Sequence, residues 1–236
     1  MPGSDCINCR CSPIYFRNFL DRLGLDEPAL KLFRSTPFGH FLDVPRLCTE
    51  RPLLDALLGC WDEECQHFRF GQSVVEFTSI DVALILGLKK YGMFVNLESK
   101  SRASRLWTKY FNGVSKISRK NTEDILSSMA RDLSGSNMED FTKILVLFLF
   151  QVVLFPLSSY TLRSGLVDYV DNLQRLGGYA WSEVVWENVM KEIRHGALAI
   201  KAREGGSKKT VGYFSGCSVV IRVSCLLLIL ISNWII

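Results

Sequence analysis

Histidine is scarce in this chain. His40, His67 and His195 are all there are in 236 residues, and no two stand at the His-x-x-x-His spacing that sets two imidazoles on one helix face around a catalytic zinc. A glycine-rich phosphate loop is missing as well. Glu204-Gly-Gly-Ser-Lys-Lys-Thr210 ends like one, but it lacks the first glycine at the required spacing and follows a helical pattern instead of a strand. Glycine (17) and proline (7) are too few for a collagen-like or proline-rich chain. Charged residues make up 22% against 48% hydrophobic, which excludes a disordered tail and leaves ample material for a core. No apolar run follows the opening MPGSDCINCRCSP, so no secretory signal is read. Eight cysteines are too few for a disulfide scaffold, and the expectation is free thiols in a reducing, intracellular compartment.

What the chain has in surplus is apolar side chains, for a mean hydropathy of +0.15. Two stretches account for it. Ile144–Leu157 (ILVLFLFQVVLFPL) is 14 residues long, short of the roughly 20 a membrane-spanning helix needs, and reads as a buried core helix. Val223–Ile236 (VSCLLLILISNWII) is equally short, with a tail anchor as the alternative reading.

Local signals place a series of helices. Ser12-Pro13 opens the first in the order cap then proline, and Gly24 closes it. Asp26 caps a second through Phe33. A third is expected from Thr49 to about Trp61 on the stripe Leu53, Leu54, Leu57 and Leu58. His67–Phe77 alternates like a short hairpin, and Thr78-Ser-Ile-Asp81 reads as a capping box before a helix stopped by Gly87. Asn121 or Thr122 is expected to cap the next helix, with Glu123 and Asp124 in its first turn. Met138 begins the long apolar helix. Leu162, Leu166, Tyr169, Val170, Leu173 and Leu176 read as one amphipathic stripe, and a last long helix follows Trp181-Ser182, with Glu187 and Lys191 paired outside. Residues 203–210 read as a polar linker. The fold class expected is mainly α, a single helical domain with one short β-hairpin.

One stretch suggests a partner. Lys100, Arg102, Arg105, Lys109, Lys116, Arg119 and Lys120 fall between Lys100 and Lys120 with no acid among them, and Trp107, Tyr110 and Phe111 lie in between. Cations interleaved with aromatics neutralise phosphates and stack bases in single-strand binders. The competing reading is a solvated helix face whose Trp107 and Phe111, four apart, point into the core. We expect the second, and keep Lys100, Arg102, Arg105, Trp107, Lys109, Lys116, Arg119 and Lys120 as nucleic-acid or partner candidates.

Chemistry is harder to find. Cys6-x-x-Cys9-x-Cys11 brings three thiols near enough to share one zinc, with Cys60, Cys65 or His67 as fourth donor. The matching second Cys-x-x-Cys pair is missing, and an N-terminal arm carrying unpaired thiols is the expectation. Strand alternation is taken to separate Cys65 from His67, against a Cys–His dyad, and His195 is read as lying near the end of a helix as a dipole partner. No catalytic residue, metal or cofactor is assigned.

Three segments together carry a resemblance: Leu53-Leu-Asp-Ala-Leu-Leu-Gly-Cys-Trp61, then His67-Phe-Arg-Phe70, then Phe77-Thr-Ser-Ile-Asp-Val-Ala-Leu-Ile-Leu-Gly-Leu88. In this order they resemble the plant mobile domain, also labelled "aminotransferase-like". Leu154-Phe155-Pro156 and Gly178-Tyr-Ala-Trp181 look like its later motifs, while Phe38-Gly-His-Phe-Leu-Asp-Val-Pro45 is similar to a related plant domain upstream of SUMO-type cysteine proteases. The resemblance implies a transposon-derived, mainly helical, nuclear interaction module linked to silencing of transposable elements and genome stability. It implies protein partners and no established active site, so Thr78, Asp81 and Gly87 are read as cap, cap partner and stop, and Trp61 and Trp181 as core anchors. Pyridoxal chemistry would need a Schiff-base lysine in a phosphate-binding context, which is not visible. The organisation expected is 1–34 as N-terminal arm and helices, 35–222 as the plant mobile-like domain, and 223–236 as an apolar tail produced by truncation or a retained intron. The alternatives are the N-terminal remnant of a transposon-borne SUMO-type cysteine protease protein, and a tail-anchored membrane protein, with cytoplasm or membrane replacing the nucleus.

Overall fold

The computed structural model describes residues 6–47, 50–100, 103–205 and 212–232, with side chains as far as Cys225. The fold is mainly α, as expected. At its centre lies α7 (Ser136–Leu149), which runs on as one π-helical stretch, Phe150–Leu154. Every residue from Asp140 to Pro156 is buried. A helix apolar on all sides has no solvent face to present, so it takes the middle of the molecule. The lone amide in this run has work to do. Gln151 Nε2 donates to the carbonyls of Ile117 and Tyr160, at 3.3 and 3.1 Å, and ties the surrounding loop to the core helix.

Around α7 pack α1 (Pro13–Leu23), α2 (Glu27–Arg34), α6 (Arg119–Met129) and the short α8 (Leu166–Val170). A second group is built on α9 (Trp181–Glu204), which packs against α3 (Arg51–Gly59) and α4 (Ser79–Leu86). Residues Ser218–Ser232 form α10 against α3 and α4, with Val219, Val220, Ile221 and Cys225 buried. Phe38, Phe150, Phe155 and Trp181 join the two groups in one aromatic cluster.

The caps read from sequence are present at α1, α2 and α4. Ser12 accepts from Tyr15 N and Asp26 from Ala29 N, while Gly24 and Gly87 close their helices in the left-handed conformation that glycine adopts without penalty. At α4 the capping box is complete: Asp81 Oδ2 accepts from Thr78 N at 2.7 Å, and Thr78 Oγ1 accepts from Asp81 N at 3.4 Å. Thr78→Ala should therefore cost about 1 kcal/mol, read as a lower urea midpoint, and Thr78→Ser should restore most of it.

Elsewhere the structure corrects the expectations. Ser118, not Asn121 or Thr122, caps α6, because Asn121 serves as the reciprocal partner reaching back to Ser118 N at 3.0 Å. Glu123 and Asp124 accordingly sit beyond the first turn. α3 begins at Arg51, and Thr49 lies outside the described residues. α7 starts at Ser136, ahead of Met138. The stripe from Leu162 to Leu176 is no single helix: Asn172 turns its side chain back onto Gln174 N and Arg175 N, ending α8 and capping a 3-10 segment, Leu173–Gly178. Lys191 meets Glu98 at 3.8 Å rather than Glu187. His195 stands well inside α9, which continues to Glu204, so it is no helix-end partner. The linker expected at 203–210 begins as the last turn of α9, and 206–210 fall outside the described residues.

The hairpin is present as β3 (His67–Phe70) and β4 (Ser73–Val75), and β2 (Trp61–Asp62) joins it antiparallel to make three strands. A separate parallel pair, β1 (Asn8–Cys9) with β5 (Tyr213–Phe214), joins the segment ahead of α1 to the segment ahead of α10. Ile7, Cys11, Phe16 and Phe19 are buried in the common core, so residues 7–34 are no detached arm. No helix among the described residues is long and apolar enough to cross a membrane.

Candidate nucleic-acid interface

The structure divides the basic stretch in two. Its first half folds as α5 (Arg105–Tyr110), capped by Ser104. Trp107 and Phe111 point inward with ring centroids 5.8 Å apart, so neither offers a face to a base. Arg105 and Lys109 turn onto Asp140, whose side chain is fully buried: Lys109 Nζ donates at 2.7 Å, Tyr110 Oη at 3.0 Å, and the Arg105 guanidinium also donates. Burial pushes the Asp140 carboxyl up, but these three donors outweigh it and hold the group below its ordinary range. Hydrogen bonding to Asp140 likewise raises Arg105 and Lys109. This half of the stretch anchors α5 to the core helix.

The second half reaches a different surface. Lys116 and Lys120 are exposed, and Arg119 begins α6. The Arg119 guanidinium lies between two rings, 4.2 Å from the centroid of Tyr15 and 4.6 Å from that of Tyr160. Arg10 also packs on Tyr160, 4.2 Å from that ring and 4.1 Å from Tyr213. The result is an alternating ladder, Tyr213, Arg10, Tyr160, Arg119, Tyr15. Arg22 extends it beyond Tyr15 at 6.0 Å.

Backbone pairing holds the ladder in register. Arg10 N donates to Phe214 O at 3.0 Å next to the β1–β5 pair, and Arg119 N to Tyr160 O at 2.9 Å. Tyr160 adopts φ +57°, a left-handed conformation, and Arg10 Nη1 donates to its hydroxyl. Tyr15 Oη donates to Glu123 Oε1 at 2.6 Å; burial and that carboxylate raise its pKa, so it stays a neutral phenol. Glu123 also lies 3.6 Å from Arg119. Arg10, Lys116 and Lys120 form no ion pair among the described residues, and Tyr160 and Tyr213 are 42% and 48% exposed. Beside the ladder, Tyr15, Arg119, Lys120, Asp124, Ser159 and Tyr160 line a hollow of about 450 Å³. A surface that offers partly exposed tyrosine rings beside cations without an ion pair suits a flexible polyanion with π faces.

Of the candidates named from sequence, Arg119 and Lys120 belong to this face, and Lys116 is exposed just ahead of α6. Lys100 is exposed elsewhere in the chain, on the loop before α5, and Arg102 lies outside the described residues. Arg10, Tyr15, Tyr160 and Tyr213 were missed, since they meet from three distant parts of the chain.

Among the described residues the N-terminal thiols are not gathered into one cluster of metal donors. Cys11 is buried against Cys217, which with burial raises its thiol pKa, and Cys9 Sγ lies 3.2 Å from Ser218 Oγ. Cys60 faces Cys225, whose thiol burial pushes up to about 12. The separation of Cys65 from His67 is overturned. Residues two apart share a strand face in any case, and Cys65 sits in the turn before β3, with its sulfur within 4.8 Å of the donor atoms of His67 and Asp62.

No curated protein and no solved structure matches the chain. A family model described as a domain of unknown function, DUF8566, matches residues 9–222. That span takes in the whole ladder, from Arg10 to Tyr213, together with nearly all of the core: the chain belongs to the DUF8566 family.

Proposed function

We propose that this chain is a non-enzymatic interaction module that binds single-stranded nucleic acid across the Tyr213–Arg10–Tyr160–Arg119–Tyr15 face, and that it works in the nucleus as a transposon-derived domain of the plant mobile kind. One observation carries the binding part: guanidinium groups and tyrosine rings alternate 4.1–4.6 Å apart on an open surface with Lys116 and Lys120 close by in sequence. The nuclear and transposon-derived part rests on the motif resemblance around Thr78-Ser-Ile-Asp-Val-Ala-Leu-Ile-Leu-Gly87.

Fluorescence anisotropy with a labelled single-stranded oligonucleotide tests the binding. Affinity should fall as salt rises, by about 0.7 in the log–log slope for each phosphate neutralised. Tyr160→Ala removes the ring against which both guanidinium groups pack and should weaken binding about tenfold, and Arg10→Ala should do so with a shallower salt slope. Salt-independent binding, or none, sinks the proposal.

A protein partner is the second reading. Phe41, Leu47, Leu84, Ile85, Val153 and Val219 line an apolar groove of about 380 Å³, and Leu84 at its edge is 77% exposed. Such a surface is the kind that accepts an apolar segment of another protein.

A further inference from the structure

The turn between β2 and β3 gathers three metal-donor side chains of different chemistry. Asp62 and His67 are cross-strand partners in the β2–β3 register, which turns both side chains to the same side. Cys65 comes from the turn itself and is exposed. One donor atom from each lies within 4.8 Å of the others, the one such group among the described residues.

The turn is held rigid from both sides. Asp62 Oδ1 accepts from Glu64 N and Cys65 N, each at 3.1 Å, which fixes the carboxylate and the start of the turn. Gln66 sits at φ +57°, a conformation that costs a residue with a side chain on the order of 1 kcal/mol. It is kept there by α9, from which Arg194 Nε and Nη2 donate to Gln66 Oε1 at 3.0 and 2.6 Å. Trp61 Nε1 pins Glu63 at 2.8 Å.

With Oδ1 occupied by backbone, the lone pairs of Asp62 Oδ2 and His67 Nε2 converge on a single group. That group is Arg69 Nη2, 3.1 Å from the carboxylate oxygen and 3.4 Å from the imidazole nitrogen. A cation already stands where these donors point. Arg69 is 52% exposed and has solvent to swing into.

We propose that Asp62, Cys65 and His67 bind one zinc-like divalent ion, with Arg69 holding the place of the ion until it arrives. One carboxylate, one thiolate and one imidazole form a borderline-soft set that suits zinc or cobalt and disfavours magnesium and calcium. Three protein ligands at an exposed turn leave the fourth position to water. Binding releases the thiol proton to solvent and moves the Arg69 guanidinium off Asp62.

Cobalt(II) titration of the full chain tests this, because a thiolate ligand gives a sulfur-to-cobalt charge-transfer absorbance. The expected result is a band that saturates at one ion per chain, is bleached by zinc and is lost in Cys65→Ser. Asp62→Asn and His67→Gln should each weaken binding about tenfold or more. Arg69→Gln should bind cobalt more tightly than the parent, a gain that a merely structural arginine would not produce. Because Cys65 is exposed, Cys65→Ser keeps the fold, checked by far-ultraviolet circular dichroism. Absence of the band overturns the site. So does a band that survives Cys65→Ser, which would assign the metal to Cys6 and Cys9, or an Arg69→Gln variant that binds no more tightly.

Discussion

Trp181→Ala should lower the thermal midpoint by on the order of 10 °C. The indole is fully buried at the start of α9 and touches four aromatic neighbours: Phe150 at 4.9 Å, Phe38 at 5.4 Å, Tyr179 at 5.6 Å and Phe155 at 6.4 Å between ring centroids. Truncating such a side chain costs about 3–5 kcal/mol, and the surrounding rings come from three separate elements that cannot collapse together into the hole. The indole Nε1 also donates to Leu176 O at 2.8 Å, and its loss strands that buried carbonyl. In a domain of this size each kcal/mol is worth about 2–4 °C, which gives the figure above. Trp181→Phe keeps a six-membered ring in the cluster and removes the donor together with the rest of the indole, so it leaves a smaller hole than Ala. It should recover more than half of the loss. A drop of only 1–2 °C in Trp181→Ala would mean that the two helix groups do not depend on this cluster to stay joined.

The site and the core differ in how far they could be read from the residues, and the reason is the range of the interactions. The caps at Ser12, Asp26 and Thr78 act within three or four residues, so donor and acceptor stand together in the sequence. Trp107 and Phe111 were legible as a buried pair for the same reason. At α6 the local signal was ambiguous, because Ser118 and Asn121 are both good caps and only their reciprocal bonding shows which one begins the helix. The ladder is the opposite case. Arg10 and Tyr213 are brought together by a parallel strand pair that joins distant segments of the chain, and nothing near either residue announces it. The fate of Arg105 and Lys109 depended on Asp140, an acid 31 residues or more away at the edge of an apolar helix. A basic stretch and its counter-charge are invisible to each other in sequence, which is why the stretch looked like one surface and is two. Cys65 and His67 were parted by a strand assignment that the turn at Gln66 annuls.

Removing Asp140 should destabilise the protein less than removing the cations that serve it. In Asp140→Ala the groups left behind are Arg105 and Lys109, whose side chains are 55% and 41% exposed and can return to water. The cost is then that of lost charge-assisted bonds to a buried acceptor, about 1–3 kcal/mol. In the double variant Arg105→Ala with Lys109→Ala, a fully buried carboxylate keeps only the Tyr110 hydroxyl. An uncompensated buried charge costs about 3–5 kcal/mol, so the double variant should be the less stable of the two in urea at neutral pH. The pH dependence gives an independent check. Because the folded carboxyl is held below its ordinary value, its contribution is present above the unfolded pKa near 3.9 and is lost as pH falls through the folded one. The stability gap between parent and Asp140→Ala should therefore be constant from neutral pH down to about pH 5 and narrow below pH 4. Glu27, Asp43, Asp62 and Asp132 are also lowered, but they titrate alike in both proteins and cancel in the difference. A gap that widened in acid would mean that Asp140 is protonated in the folded protein, and that α5 is held by its buried Trp107 and Phe111 rather than by charge.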